Sequence, residues 1–500
     1  MAREPVAELI EAARNAAGPR TVRPSDVDGS SIDPCGLRQA NFDMMDEVLD
    51  GLNNVARHIR PFTVLAWAWR QALRLAEREG GDGFARIERF VARCETVFAM
   101  SVFAGDRSAD LPGGQALSQL LAGPSYRFSG THWENFWKVR RLSTALAAPV
   151  NYGPGLRTFG WVLRNAANAS ALVPNPQAED ALDAFEALLG DRLDHPAFSS
   201  FGDVEVTLEE AAAWAPAWSL STLTEAEKAF MRRTLAGDLA TPTRAAGVGL
   251  LVAAARHAGV PDFGSPEAVA AARKAAAGEG AAFAPPAEFQ SAAAAFRRLQ
   301  VRQLFRLCVE ALLAWTVDSL QDGPLRSDQL AAAFLRDAGI HPDAPAGDAW
   351  LGTVEASSPL SAASGEIEAA LKPPRNGLAE AIARGLALCV GNAPVDAAAC
   401  DREDRLPLRR AAAQARARAH LPARELARHA IESWALGQHV YWAVGRGLQD
   451  ARGRGKRILR LKVVMEEGGW QALPMARLSP EPTPDRVRTA LTLAAESGLG

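Results

Sequence analysis

Residues 293–320 read AAAFRRLQVRQLFRLCVEALLAWTVDSL. Phe296, Leu299, Leu304, Leu307, Cys308, Leu312 and Trp315 recur mostly at steps of three and four, which return side chains to one face of a 3.6-residue turn. The spacing predicts one long amphipathic helix, and the segments on either side read the same way. Upstream, the stretch from Arg60 through Pro61, Phe62 and Trp67 to Trp69 predicts a buried helix opened by Pro61, whose missing N–H costs nothing in a first turn. A second helix is predicted from Phe84 to about Phe103, with Ile87, Phe90, Val91, Cys94, Val97 and Phe98 on its apolar side. Thr207 with Glu210, and Thr224 with Glu227, have capping-box spacing before apolar runs.

Downstream the pattern changes. Residues 341–377 hold five prolines, among them Pro342, Pro359 and Pro373, together with Gly347, Gly352, Gly365 and Gly377, and predict a linker. Residues 422–444 predict a helix. Residues 458–465 alternate Ile458, Arg460 and Lys462 with Leu459, Leu461 and Val463, a strand pattern. Glu466-Glu467-Gly468-Gly469 predicts a turn, 470–473 a returning strand, and Pro484-Asp485 the start of a last helix ending at Gly498. The fold class expected is mainly α: a multi-domain helical body with a small C-terminal α/β, winged-helix-like module. The expected division is an aromatic-rich helical domain over 1–177, an Ala-rich helical domain over 178–340, the linker over 341–377, and a basic C-terminal module with a β-hairpin over 378–500. No fixed-period repeat is visible.

The chain has 500 residues, 48% apolar and 23% charged, an ordinary globular balance with room for about three domains. Its cysteines, Cys35, Cys94, Cys308, Cys389 and Cys400, are odd in number and form no CxxC pair, so neither a disulfide framework nor a structural zinc site is expected. The first 18 residues carry Glu4, Glu8 and Glu11 and lack the apolar core of a signal peptide. No apolar run approaches the ~20 residues of a membrane helix. A cytoplasmic protein without membrane attachment is expected.

Common catalytic motifs are absent. There is no phosphate loop, since Gly455-Lys456 is followed by Arg457, and no HExxH, GxSxG or calcium loop. None of the six lysines has an acid two residues before it, as a PD-(D/E)xK nuclease needs. The eight histidines are scattered. His132 and Glu134 are neighbours, but on a strand or loop they would face different surroundings, so a hydrogen-bonded structural histidine is expected there. No catalytic residue, cofactor or metal ligand is assigned.

One constellation stands out. Between Arg402 and Lys462 lie fifteen Arg or Lys and five Asp or Glu, a balance of +10 in a chain of net charge −3, so the remainder carries −13. A base composition that favours Arg would spread the charge evenly. Segregated positive charge attracts polyanions, nucleic acid above all. At 100° per residue from Pro422, Ile431, Trp434, Tyr441, Val444 and Leu448 share one sector, a core face. Arg428, His439 and Arg446 share another, with Arg424 beside them. Arg409, Arg410, Arg416 and Arg418 add an upstream cluster, and Arg452, Arg454, Lys456 and Arg457 a glycine-spaced basic loop. These twelve residues are the predicted nucleic-acid-binding set. The same charge also fits an acidic protein partner, this chain's own remainder included, or a solvated face. Asn53, Asn54, Arg57 and His58, ahead of the Pro61 helix, fit either an anion site at a helix start or a polar cap supporting a turn.

Asp33-Pro34-Cys35-Gly36-Leu37, Gly51-Leu52-Asn53-Asn54 and Arg57-His58-Ile59-Arg60-Pro61 near one end, with Gly437-Gln438-His439-Val440-Tyr441-Trp442, Glu466-Glu467-Gly468-Gly469-Trp470 and Pro482-Thr483-Pro484-Asp485-Arg486 near the other, resemble large helical bacterial proteins of unassigned activity. Some of these are encoded beside helicases and nucleases in anti-phage defence clusters. The resemblance covers about a third of the chain and transfers no catalytic residue. It implies a defence-system subunit. The function expected is a non-enzymatic subunit of a bacterial multi-protein assembly that docks other protein subunits and contacts DNA through its basic C-terminal module. The alternatives are an enzyme of an unfamiliar helical family, such as a metal-dependent nuclease, and a purely protein-binding scaffold.

Overall fold

Two threonines show how the helices begin. Thr207 and Thr224 each accept a hydrogen bond from the backbone N–H three residues on, while Glu210 and Glu227 reach back to the threonine N–H. Both capping boxes expected from the sequence are therefore formed, opening Leu208–Trp218 and Glu225–Leu235. The computed structural model describes residues 33–79, 83–118, 120–165, 171–279, 283–394, 405–445, 460–474 and 476–500. The chain is mainly helical, and its strands form three two-stranded antiparallel ladders among the described residues.

The chain divides into two compact units, each drawing on both ends of the sequence. One unit holds Met45–Phe296 with Pro484–Gly500. Its centre is the helix Arg60–Glu79, buried from Arg60 to Arg70, packed against Phe84–Gly105. Trp67 meets Phe185, Phe198 and Trp218 edge-on, with ring centroids 5.8–6.2 Å apart. Phe62 packs likewise against Tyr152 and Phe159. Two buried arginines of this core face carboxylates, Arg60 3.4 Å from Glu227 and Arg140 3.6 Å from Glu95, while Arg93 and Arg244 donate to backbone carbonyls. The last helix, Val487–Ser497, packs on Glu225–Leu235 and Pro242–His257, and Arg232 and Arg256 donate to its terminal carbonyls at Ser497 and Leu499.

The other unit holds the described residues up to Met44 with Arg297–Thr483. Its axis is the helix Gln290–Ser319, whose existence follows the sequence expectation. Its surroundings do not: from Val301 to Val317, Leu304, Phe305, Leu307, Val309, Ala311 and Leu313 are all buried, so apolar cover surrounds the helix in place of a single stripe. The cover comes from Ser327–Asp337, Leu378–Gly391, Leu408–Ala417 and Ala430–Gly437. Trp350, Leu360 and Ile367 join the same core, and the Trp350 indole donates to the Ala383 carbonyl at 2.8 Å. The prolines of 341–377 therefore punctuate short packed helices, and the compact units cut the chain elsewhere than at 177, 340 and 377.

The C-terminal hairpin forms, with Val463–Glu466 paired to Gly469–Ala472 and Trp470 bridging onward to Leu325. The last helix belongs with the other unit, so helix, hairpin and helix do not share the small core that a winged-helix module requires. His132 and Glu134 lie on the helix Gly130–Arg140, a correction to the strand or loop expected. His132 contacts the Tyr126 hydroxyl at 3.2 Å and Glu134 pairs with Arg89. Among the described residues no helix is long and apolar enough to cross a membrane.

Candidate nucleic-acid interface

Leu408–Ala417 turns Leu408, Ala411, Ala412 and Ala415 into the core and leaves Arg410 and Arg416 exposed, with Arg409 half-buried. Ala423–His429 repeats the arrangement, burying Ala423, Leu426 and Ala427 and exposing Arg424 and Arg428. Six of the twelve predicted residues thus gather on two successive helices and the turn between them, where Arg418 lies. Part of their bonding is spent inside the fold. Arg416 donates to the Val390 carbonyl at 2.7 Å and Arg418 to the Gln414 carbonyl at 3.0 Å. Arg424 pairs with Asp343, and Arg428 with Glu425 at 2.8 Å. Both ion pairs are about half exposed, and a pair so placed is worth only about 0.2–1 kcal/mol, little resistance to a competing phosphate. Burial together with the Arg418 charge lowers the pKa of His429, while Glu432 opposes the shift. Arg446, Arg452, Arg454, Lys456 and Arg457 lie outside the described residues.

His439 departs from the expected stripe. It is buried, with Nδ1 2.8 Å from the Pro34 carbonyl and Nε2 accepting the Lys462 N–H at 2.9 Å. That bonding fixes a neutral imidazole with its proton on Nδ1, and burial lowers its pKa further. Tyr441, expected in the core, is exposed. Both corrections have one cause. Ala430–Gly437 is wound as a π-helix, whose i→i+5 turns each take about one residue more than α turns. The 100° count holds as far as Ile431 and Trp434, which are buried as expected, and loses phase beyond them.

Within each unit, stretches far apart in sequence meet. In one unit Gln438 donates to the Cys35 carbonyl at 2.9 Å, Arg405 donates to the Gly36 carbonyl at 3.1 Å, and the Arg405 guanidinium lies 4.0 Å from the Trp442 ring centre. Arg306 holds Glu310 through two bonds of 3.0 and 2.9 Å in the same core. Burial lifts the Glu310 carboxyl to about 7, against the pull of Arg306. It also raises the Cys35 thiol, as do the nearby Glu310 and Asp33 charges. In the other unit Asn54 donates to the Pro484 carbonyl and accepts from the Arg486 N–H. The Glu496 carboxylate takes the Ile59 N–H at 2.8 Å and His58 Nδ1 at 2.6 Å. The anion that the Asn53–His58 cluster was open to is therefore a side chain of the chain's own last helix, and the cluster is a polar cap.

Among the described residues no group of three or more His, Cys, Asp or Glu is placed to hold a metal ion. The chain matches no protein-family model, no curated protein and no solved structure. A second basic stretch escapes a charge count centred on the C terminus, although its Arg140 is buried against Glu95. Residues 135–178 contain five basic residues and no acidic one.

Proposed function

We propose that this chain is a non-enzymatic subunit of a bacterial multi-protein assembly of the anti-phage defence type. Its helical units dock partner proteins, and its C-terminal basic helices contact DNA. One observation carries the DNA contact: Arg410, Arg416, Arg424 and Arg428 all lie exposed on the two successive helices Leu408–Ala417 and Ala423–His429, whose other sides are core. Exposed guanidinium groups suit backbone phosphates, and the sequence continues into the basic, glycine-spaced 452–457.

The test is fluorescence polarisation of labelled duplex and single-stranded DNA with the full-length chain across a salt series. A fragment over 402–500 would cut through both units and is unsuitable. Each phosphate contact contributes about 0.9 to the slope of log affinity against log salt on duplex DNA. Changing the four exposed arginines to Glu is expected to lower affinity at least tenfold and to flatten that slope by about 2–4. Equal binding by wild type and variant at about 100 mM salt would reject DNA contact through these helices.

A further inference from the structure

The largest exposed apolar side chains of the unit built on Met45–Phe296 concentrate in one part of the chain: Val139 is 76% exposed, Leu142 64%, Val150 56% and Leu163 46%. One of them, Leu142, lines a cleft of about 330 Å³ together with Trp69, Trp137, Pro149, Leu156 and Leu172, and Val150 follows the lining residue Pro149. A soluble protein rarely leaves a large apolar side chain this exposed at the mouth of an apolar concavity unless something covers it. The charge around the cleft has one sign. Arg141 and Arg157 line it with only Glu88 opposing. Arg164 stands directly across the Val162–Arg164/Leu172–Pro174 ladder from the lining residue Leu172. Lys138 is exposed one turn before Leu142. The whole run 135–178 lacks Asp and Glu, in a chain of net negative charge.

We infer that this cleft is the docking site for an acidic amphipathic segment of a partner protein. Large apolar side chains of the segment enter between Trp137, Leu142 and Leu156, and its carboxylates meet Lys138, Arg141, Arg157 and Arg164. The concavity favours a protein segment over a lipid surface, because a flat bilayer cannot fill a cleft floored by Trp69. Helical segments of this kind insert side chains spaced i, i+3, i+4 and i+7 into apolar grooves. The inference rests on the subunit reading and names the chemistry of one partner.

The probe is a fluorescein-labelled helical peptide of about 18 residues, with Leu and Phe at that spacing and Glu elsewhere. A second peptide carries Lys in place of every Glu. Polarisation is read on the full-length chain without nucleic acid, so failure here leaves the DNA reading standing, and failure of DNA binding leaves this one. The acidic peptide is expected to bind, with affinity falling about tenfold or more in Leu142→Asp and in Arg141→Glu/Arg157→Glu. Leu142 and Val139 are exposed, so Leu142→Asp and Val139→Asp keep the fold, checked by circular dichroism. Equal binding of the acidic and Lys peptides overturns the inference, as does unchanged binding by Leu142→Asp. So does self-association in sedimentation that Leu142→Asp abolishes, which would make a second copy the occupant. Retention on phosphatidylglycerol vesicles that depends on Leu142 and is not displaced by the peptide would assign the surface to lipid.

Discussion

Replacing Gly36 by Ala tests the meeting of the two distant stretches in the unit built on Arg297–Thr483. Gly36 has φ +69°, a conformation that costs an L residue about 1–2 kcal/mol. A Cβ there would lie 2.3 Å from Trp442 Cδ2 and 2.6 Å from Cγ, so the indole must move. Its freedom is limited by the Arg405 guanidinium, 4.0 Å from the ring centre and itself bonded to the Gly36 carbonyl. Displacing the ring adds an overpacking cost of about 1–3 kcal/mol and loses a cation–π contact of about 0.5–2 kcal/mol. Gly36→Ala is therefore expected to destabilise this unit by about 3–5 kcal/mol, mostly through the ring. In a Trp442→Ala background the steric part vanishes, and only the backbone cost of about 1–2 kcal/mol remains. The assay is urea unfolding followed by pulsed hydrogen exchange and mass spectrometry, reading peptides from 408–417, because a chain of two units need not unfold in one step. A cost below about 1 kcal/mol for Gly36→Ala, or an equal cost with and without the indole, would refute the packing described.

Two further perturbations probe the polar ties. Glu496→Ala removes the carboxylate that holds Ile59 N–H and His58 Nδ1 at the start of Arg60–Glu79. It is expected to cost about 2–3 kcal/mol in unfolding read on peptides from 60–79, with Glu496→Gln costing less because one acceptor survives; equal costs would show that a neutral acceptor contributes nothing there and refute the hydrogen-bonding account. Glu310 gives a pH signature. Its carboxyl is lifted to about 7 by burial, so the folded chain binds this proton more tightly than the unfolded chain does. The group's contribution is most favourable below the ordinary carboxyl value, falls as pH rises from about 4.5 to 7, and is constant above. Glu310→Gln is expected to flatten the stability profile over that window by up to about 3 kcal/mol, and a parallel profile for wild type and variant would show that Glu310 does not bind its proton there.

Much of the helical architecture was legible because its signals are local. Thr207 and Thr224 announce helix starts through a four-residue pattern whose geometry needs no tertiary partner. The hairpin was placed by its Glu-Glu-Gly-Gly turn more than by its alternation: the strand expected over 458–465 is observed over Val463–Glu466, with 460–462 outside it and 458–459 outside the described residues. Partnership was the hidden part. Nothing near His58 in sequence points to Glu496, and nothing in 484–498 shows that this helix joins residues 225–257 while the hairpin before it joins the other unit. The proline-rich 341–377 was misleading for a related reason. Prolines mark where helices stop, and whether the short helices between them are packed depends on Trp350 and Ile367 finding the core of Gln290–Ser319.

The candidate interface was legible in composition and misread in phase. Charge segregation after Arg402 survives as exposed arginines on Leu408–Ala417 and Ala423–His429, because net charge does not depend on winding. The assignment of His439 to the stripe did depend on it. A constant 100° step carries an assumption that every turn is α, and Ala430–Gly437 breaks it. The extra residue per turn rotates everything after Gly437, taking His439 inward to Pro34 and Lys462 and sending Tyr441 out. A π stretch sacrifices regular α hydrogen bonding and persists where tertiary contacts reward the altered phase. Here those contacts are visible: Trp434 donates to Gln414, Gln438 to Cys35, and His439 bonds Pro34. The widened winding aims residues 438–442 at 34–36, and among the described members of the predicted basic set the exposed arginines, Arg410, Arg416, Arg424 and Arg428, all precede it.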